Sequence, residues 1–220
     1  MWNKDFPVGA VLDKLNATYT HHPMDELTQH NPFKVLTACI LSLRTKDETT
    51  MPAAERLFAV ADTPQTLAAL PPETVEKLIF PVGFYKTKAQ TLVGLSQDLL
   101  DRFHGQVPQT IKELLTLKGV GRKTANLVVG LGHQLPAICV DVHVHRICQR
   151  FGLLSSPDPD TTEMILREHL PLPYWRIINK VLVLHGQQVC KPVSPWCDVC
   201  PVATDCQRVD VKPRKLPKKN

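Results

Sequence analysis

An all-α fold is predicted by three observations on this sequence. Apolar residues recur at helical spacing along most of the chain, no segment alternates long enough for a half-buried strand, and helix-start signals stand before several periodic stretches. Candidate helices cover residues 8–19, 32–44, 49–60, 64–70, 84–103, 110–117, 121–132, 142–151, 160–169 and 173–187. Periodicity carries the first three. Thr63 before Pro64 is an N-cap followed by a first-turn proline, which starts the helix at 64. Thr110 and Glu113 have capping-box spacing at the start of 110–117. Asp141 is placed to cap a helix beginning at Val142, and Pro157 and Pro159 mark a turn before 160–169. Many short helices imply a globular bundle, with no internal repeat and no low-complexity linker.

Composition narrows the class. The chain has 220 residues, 43% of them hydrophobic, which suffices for a packed core in one large or two small domains. The longest apolar stretches, 37–43 and 127–131, fall well short of the roughly 20 residues of a membrane span. No signal peptide is visible, so the expected compartment is the reducing cytoplasm, and Cys39, Cys139 and Cys148 are expected as buried thiols. The net charge of +5 is concentrated at one end: Lys212, Arg214, Lys215, Lys218 and Lys219 stand in the tail 212–220. Without those five, 21 basic residues face 21 acidic ones, so phosphate binding by the body must come from local geometry. The tail itself, broken by Pro213 and Pro217, reads as a disordered basic arm.

Four cysteines, Cys190, Cys197, Cys200 and Cys206, stand with six, two and five residues between them. Four thiolates in one short loop make an all-cysteine metal site, used by structural zinc and by iron–sulfur clusters. Zinc ribbons pair two Cys-x-x-Cys knuckles; here a single knuckle is flanked by lone cysteines, which favours a [4Fe-4S] cluster over zinc. Two disulfides are the remaining arrangement, and the lack of a secretory signal argues against them.

A second motif, Leu-Lys-Gly-Val-Gly-Arg-Lys at 117–123, joins two predicted helices by a tight hairpin. Glycines at 119 and 121 permit positive φ and close backbone approach, and the helix that follows presents unpaired N–H groups. That combination suits a DNA phosphate, although glycine also serves helix–helix turns for steric reasons alone. Lys123 follows in the first turn, where a cation is slightly unfavourable. An amine nucleophile must be neutral, and lowering a lysine pKa by about three units takes about 4 kcal/mol. A helix N-terminus supplies about 0.3–2 kcal/mol, so burial or cations such as Arg122 must supply the remainder. Eighteen residues on, the apolar run 137–140 ends at Asp141-Val142-His143. Its carboxylate, beyond capping, suits proton transfer or stabilisation of a cationic sugar.

The hairpin with Lys123, the Val-Asp-Val-His segment holding Asp141, and the four-cysteine loop together resemble the endonuclease III family of DNA glycosylases, within the helix-hairpin-helix superfamily. Gly83-Phe84-Tyr85 and Leu184-His185-Gly186 add to the resemblance, which runs from about residue 8 to Cys206. It implies a two-lobed fold: a six-helix lobe at 23–135, and a second lobe of the N-terminal segment 1–22 with 136–220, carrying the cluster loop 190–206. The DNA and a flipped base would lie between the lobes. It also implies a bifunctional enzyme of base excision repair, a monomer acting on oxidised pyrimidines in double-stranded DNA, cytoplasmic and nucleoid-associated when bound. Lys123 is then the nucleophile at the sugar carbon, and Asp141 the carboxylate that assists it. Gly119, Gly121 and Arg122 are implied as phosphate contacts. Phe84 resembles the apolar wedge, and Arg44 stands where the family carries a glutamine that fills the gap left by the extruded base. Ordinary alternatives are a core aromatic at Phe84 and a solvated arginine at Arg44.

Three residues depart from the family pattern: Arg44 for glutamine, Lys118 for the proline before Gly-Val-Gly, and Val142 for threonine after the aspartate. None touches Lys123 or Asp141, so they bear on the lesion spectrum more than on the reaction type. Two other functions compete. A monofunctional mismatch or adenine glycosylase generally lacks lysine at position 123; a noncatalytic redox-sensing DNA-binding protein would use the same hairpin and cluster without covalent chemistry.

Overall fold

The computed structural model describes residues 1–21 and 23–212. Among these, the first helices are α1 (Val8–Thr18), α2 (Pro23–Thr28), α3 (Pro32–Ser42), α4 (Asp47–Phe58), α5 (Pro64–Ala68) and α6 (Pro72–Ile79). They are followed by α7 (Tyr85–Phe103), α8 (Ile111–Leu114), α9 (Arg122–Leu127), α10 (Val142–Phe151), α11 (Pro159–His169) and α12 (Ile178–Gln188). A π-helical turn, Val128–Gly132, continues α9, and a 3-10 turn, Leu172–Tyr174, precedes α12. The described residues hold no strand, only one antiparallel bridge between Trp2 and Leu154. The basic arm expected at the C-terminus lies, from residue 213 on, outside the described residues.

The helix starts are chemical. Thr63 accepts from the Thr66 amide at 3.2 Å while the Thr66 hydroxyl accepts from the Thr63 amide at 3.1 Å, so two orphan donors are satisfied reciprocally. Asn31 caps α3 by accepting from the Phe33 and Lys34 amides, and Pro32 sits where its missing N–H costs nothing. Two helices escaped prediction, α2 and α6. Pro71-Pro72 looks like a breaker in sequence, but Pro72 opens the first turn of α6 and the helix buries Val75 and Ile79. In α2 six residues are too few to show a period. The predicted start at 173 shifts to Ile178 because the chain first makes the separate 3-10 turn.

The chain divides into two compact units, Pro23–Ala137 and the combination of Met1–His22 with Ile138–Asn220. In the first, α3 is the central element. From Val35 to Leu41 every residue is buried, as expected for a helix that is apolar all round, and it packs against α4, α7, α9 and the π-helical turn. Leu57, Ile79, Leu92, Leu95, Leu99 and Leu114 fill the space around it. The second unit has its own core, in which Val11, Leu12 and Leu15 of α1 join Val144 and Ile147 of α10 and Val181 and Leu182 of α12.

Candidate functional site

In the Pro23–Ala137 unit the predicted hairpin is built from α8, a turn and α9. Thr110 caps α8, accepting from the Glu113 amide at 3.2 Å and donating to the Glu113 carboxylate at 2.6 Å. Leu117 and Val120 are buried and pin the turn from inside. The glycines differ. Gly119 has φ of +84°, and a Cβ there would stand 2.8 Å from the Thr91 methyl. Gly121 has an extended φ of −96°, is exposed, and a Cβ on it would meet nothing within 4 Å. The expectation of positive φ at both is therefore corrected to Gly119 alone. Gly121 is the N-cap of α9 and offers no side chain to its amides.

Arg122 and Lys123 occupy the first two positions of α9, Lys123 exposed. One turn on, the Asn126 amide donates to the Arg122 carbonyl at 3.2 Å, and Asn126 is buried. The field of Lys123 reaches the buried Cys39 thiol of α3. Burial pushes that thiol up to about 12, and the Lys123 charge works against the rise.

In the same unit Arg44 and Phe84 come together, although 40 positions separate them. Arg44 lies just after α3 and Phe84 just before α7; both are exposed, and the Arg44 guanidinium carbon stands 5.8 Å from the centre of the Phe84 ring. Phe84 is 63% exposed, which excludes the core-aromatic alternative. Both residues have positive φ, 54° and 57°, a backbone state that costs about 1–3 kcal/mol for a residue with a bulky side chain.

Asp141 belongs to the second unit. It is 8% exposed and caps α10, one carboxylate oxygen accepting from the His143 amide at 2.9 Å and the Val144 amide at 3.0 Å. The neighbouring Val142 is 66% exposed, and Lys118 of the other unit is also at the surface. An open groove of about 850 Å³, lined by Trp2, His145, Gln149 and Arg150 among others, contains none of the predicted site residues.

The four C-terminal cysteines are half-buried, Cys39, Cys139 and Cys148 are buried, and no disulfide links cysteines among the described residues. Burial first, and then the charges of Cys206, Cys190 and Cys197, push Cys200 up to about 11, against an opposing backbone amide at Val202. The four sulfurs thus lie within one another's fields. Among the described residues no group of three or more His, Cys, Asp or Glu is tight enough to hold a single metal ion. A tetrahedral zinc with Zn–S of about 2.3 Å would need its sulfurs within about 4 Å of each other.

Around this loop stand residues that spacing did not reveal. Arg150 of α10 donates to the Lys191 and Pro192 carbonyls at 2.7 Å each and lies 3.5 Å from the Cys190 sulfur. Arg146, one turn earlier, donates to the Cys190 carbonyl at 3.0 Å. The i, i+4 spacing of these arginines is visible in the sequence; their common target is not. His185 is fully buried, with Nδ1 2.9 Å from the Tyr19 hydroxyl and Nε2 3.7 Å from the Cys200 sulfur. Burial, helped by the Arg146 charge, lowers its pKa to about 4, so the ring is neutral.

Comparison with known proteins adds an independent finding. The profile of the HhH-GPD superfamily base excision DNA repair proteins matches residues 37–172. Endonuclease III of Thermotoga maritima is 44% identical over 177 residues, 80% of this chain and 83% of that protein. Endonuclease III of Treponema pallidum is 37% identical over 193 residues, covering 88% and 91%. A solved trapped endonuclease III–DNA covalent intermediate, an estranged-adenine complex, superposes with a TM-score of 0.83 at 34% identity, covering 94% of this chain and 97% of that one. A thermostable thymine-DNA glycosylase shares the fold, with a TM-score of 0.82 at 22% identity.

Proposed function

This chain belongs to the endonuclease III family of the HhH-GPD superfamily, and from that premise we propose that Lys123 is its nucleophile and Asp141 the carboxylate that assists it. The protein is a base excision repair DNA glycosylase and abasic-site lyase acting on DNA. The observation that carries the assignment is the position of Lys123: exposed, in the first turn after Gly119-Val120-Gly121, in a chain similar to an endonuclease III trapped as a covalent DNA intermediate.

In the proposed reaction the Lys123 amine attacks the sugar carbon bearing the damaged base. The carbon–nitrogen bond to the base breaks, the base leaves with its electron pair and takes up a proton, and the ring opens to a Schiff base on Lys123. Loss of a proton from the adjacent sugar carbon then expels the 3′ phosphate by β-elimination, and water releases the enzyme. Asp141, held rigid by its two amide donors, stabilises the positive charge that develops on the sugar and relays protons. Gly119, Gly121 and Arg122 take a DNA phosphate. The open space at Gly121 supports this, since nothing inside the protein requires that glycine, whereas a phosphate approaching the α9 amides does. Phe84 and Arg44 enter the duplex to replace the extruded nucleotide. Oxidised pyrimidines are the proposed substrates, and the enzyme works as a monomer in the cytoplasm.

The cysteine loop fits a [4Fe-4S] cluster on Cys190, Cys197, Cys200 and Cys206. Support comes from the four half-buried thiols in one another's fields and from the single knuckle. When bound, the cluster supplies four iron–thiolate bonds that close the loop. Arg150 and Arg146 hold the loop backbone from α10, and His185 presents its edge to the Cys200 sulfur.

Borohydride trapping tests the assignment. Wild type is expected to give a covalent adduct on duplexes carrying an abasic site or thymine glycol, and Lys123→Ala on neither. An adduct with Lys123→Ala, or none with wild type that still binds DNA, would sink it. Iron and sulfide analysis tests the cluster; stoichiometric zinc without iron is the contrary result.

A further inference from the structure

Lys88, in the second turn of α7, is a buried lysine that the reaction above does not use. It is 7% exposed, and its ammonium donates to three neutral oxygens: the Leu41 carbonyl at 2.7 Å, the Leu43 carbonyl at 2.6 Å and the Thr45 hydroxyl at 3.1 Å. A buried charge without a counter-ion is costly, and a methionine of similar length would fill the space without that cost. What the charge gains is grip on the end of α3. The Leu41 carbonyl belongs to the last turn of that helix, where carbonyls lack partners and the helix dipole favours a cation.

The segment held in this way carries Arg44. The Thr45 hydroxyl also accepts from the Gly83 amide at 3.1 Å, which joins the Arg44 loop to the loop carrying Phe84. The two backbones are so close that a Cβ on Gly83 would stand 3.1 Å from the Arg44 carbonyl oxygen. Lys88 thus stands one turn behind Phe84 on its own helix and binds the loop of Arg44 on the other. Both tips have the strained positive φ, and both are exposed. Burial lowers the Lys88 pKa to about 8, which leaves it charged at neutral pH.

We infer that Lys88 is a positioning residue for nucleotide extrusion: with Thr45 it fastens the Arg44 loop to the start of α7, so that Arg44 and Phe84 enter the duplex as one preassembled wedge. The inference rests on the proposed function, in which those two side chains replace the extruded nucleotide. A rigid pair keeps its geometry while it displaces a stacked base; a loose pair loses binding energy to its own ordering.

The test uses the full chain with its cluster, as wild type, Lys88→Met and Thr45→Val. Single-turnover strand cleavage is measured on an abasic duplex, which requires extrusion, and on a single-stranded abasic oligonucleotide, which does not. Unstacking is followed by 2-aminopurine fluorescence beside the lesion. Lys88→Met is expected to lower the duplex rate about 10- to 100-fold more than the single-strand rate and to reduce the fluorescence rise. Thr45→Val should act in the same direction by a smaller factor, and it carries the test if Lys88→Met does not fold. Equal loss on both substrates, or no loss with an undiminished fluorescence rise, would overturn the inference while leaving the catalytic assignment standing. Wild type inactive on both substrates would overturn that assignment and the inference with it.

Discussion

At Asp141 the capping role and the proposed chemical role can be separated by one substitution. Asparagine caps helices about as well as aspartate but cannot carry the negative charge. Asp141→Asn should therefore keep stability within about 0.5 kcal/mol by urea unfolding and lower single-turnover base excision about 10²- to 10⁴-fold. An unchanged rate would leave Asp141 as a cap alone. Cys39 makes a prediction of a different kind. Its thiol is raised from 9.0 to about 12 in the folded chain, chiefly by burial. The folded state keeps a proton that the unfolded state releases, so this stabilisation is whole below pH 9 and is lost as pH rises through 12. Between pH 8 and pH 10 the loss amounts to about 1 kcal/mol. Cys39→Ala should make the fall of urea midpoints over that range shallower by this amount, with the share of Cys148, whose thiol burial also raises to about 12, remaining in both proteins.

At the scale of elements, α3 and the tips it supports are expected to respond oppositely to truncation. Leu36, fully buried in α3, should cost about 2–5 kcal/mol when changed to alanine, whereas Phe84→Ala, at an exposed tip, should stay within about 0.5 kcal/mol. Thermal melts of the two variants check both numbers. In the hairpin, Gly119→Ala forces a side chain into positive φ and against Thr91, and should destabilise by about 1–3 kcal/mol. The same element scale shows what could be deduced from sequence. Caps at Thr63, Thr110 and Asp141 were legible because donor and acceptor lie within three residues. α6 was not, because the proline pair that opens it is also the mark of a break, and only burial of Val75 and Ile79 decides between the two.

For the whole molecule, two separate cores imply separate responses to loss of the cluster. The Pro23–Ala137 unit is filled by its own leucines and uses none of the four cysteines, whereas Cys190, Cys200 and Cys206 pack against the core of the other unit. Oxidative removal of iron with a chelator should release the end of the 190–206 loop and open the chain to trypsin at Arg208 while fragments from 23–137 stay protected. Mass spectrometry of the digest reads the outcome. Equal loss of protection in both units would show that the cores unfold as one.

The sequence by itself determined the all-α class, the hairpin followed by Lys123, the cap at Asp141 and the four-cysteine spacing. Each is a local pattern whose chemistry is complete within a few residues, or whose ligands sit in one loop. The tertiary structure alone decided that Lys88 binds carbonyls 45 and 47 positions away, that His185 joins Tyr19 to Cys200, and that Arg44 meets Phe84. A lysine or histidine in a sequence reads the same whether solvated or buried. Which oxygen compensates a buried charge depends on how the helices pack, and no local spacing records that choice.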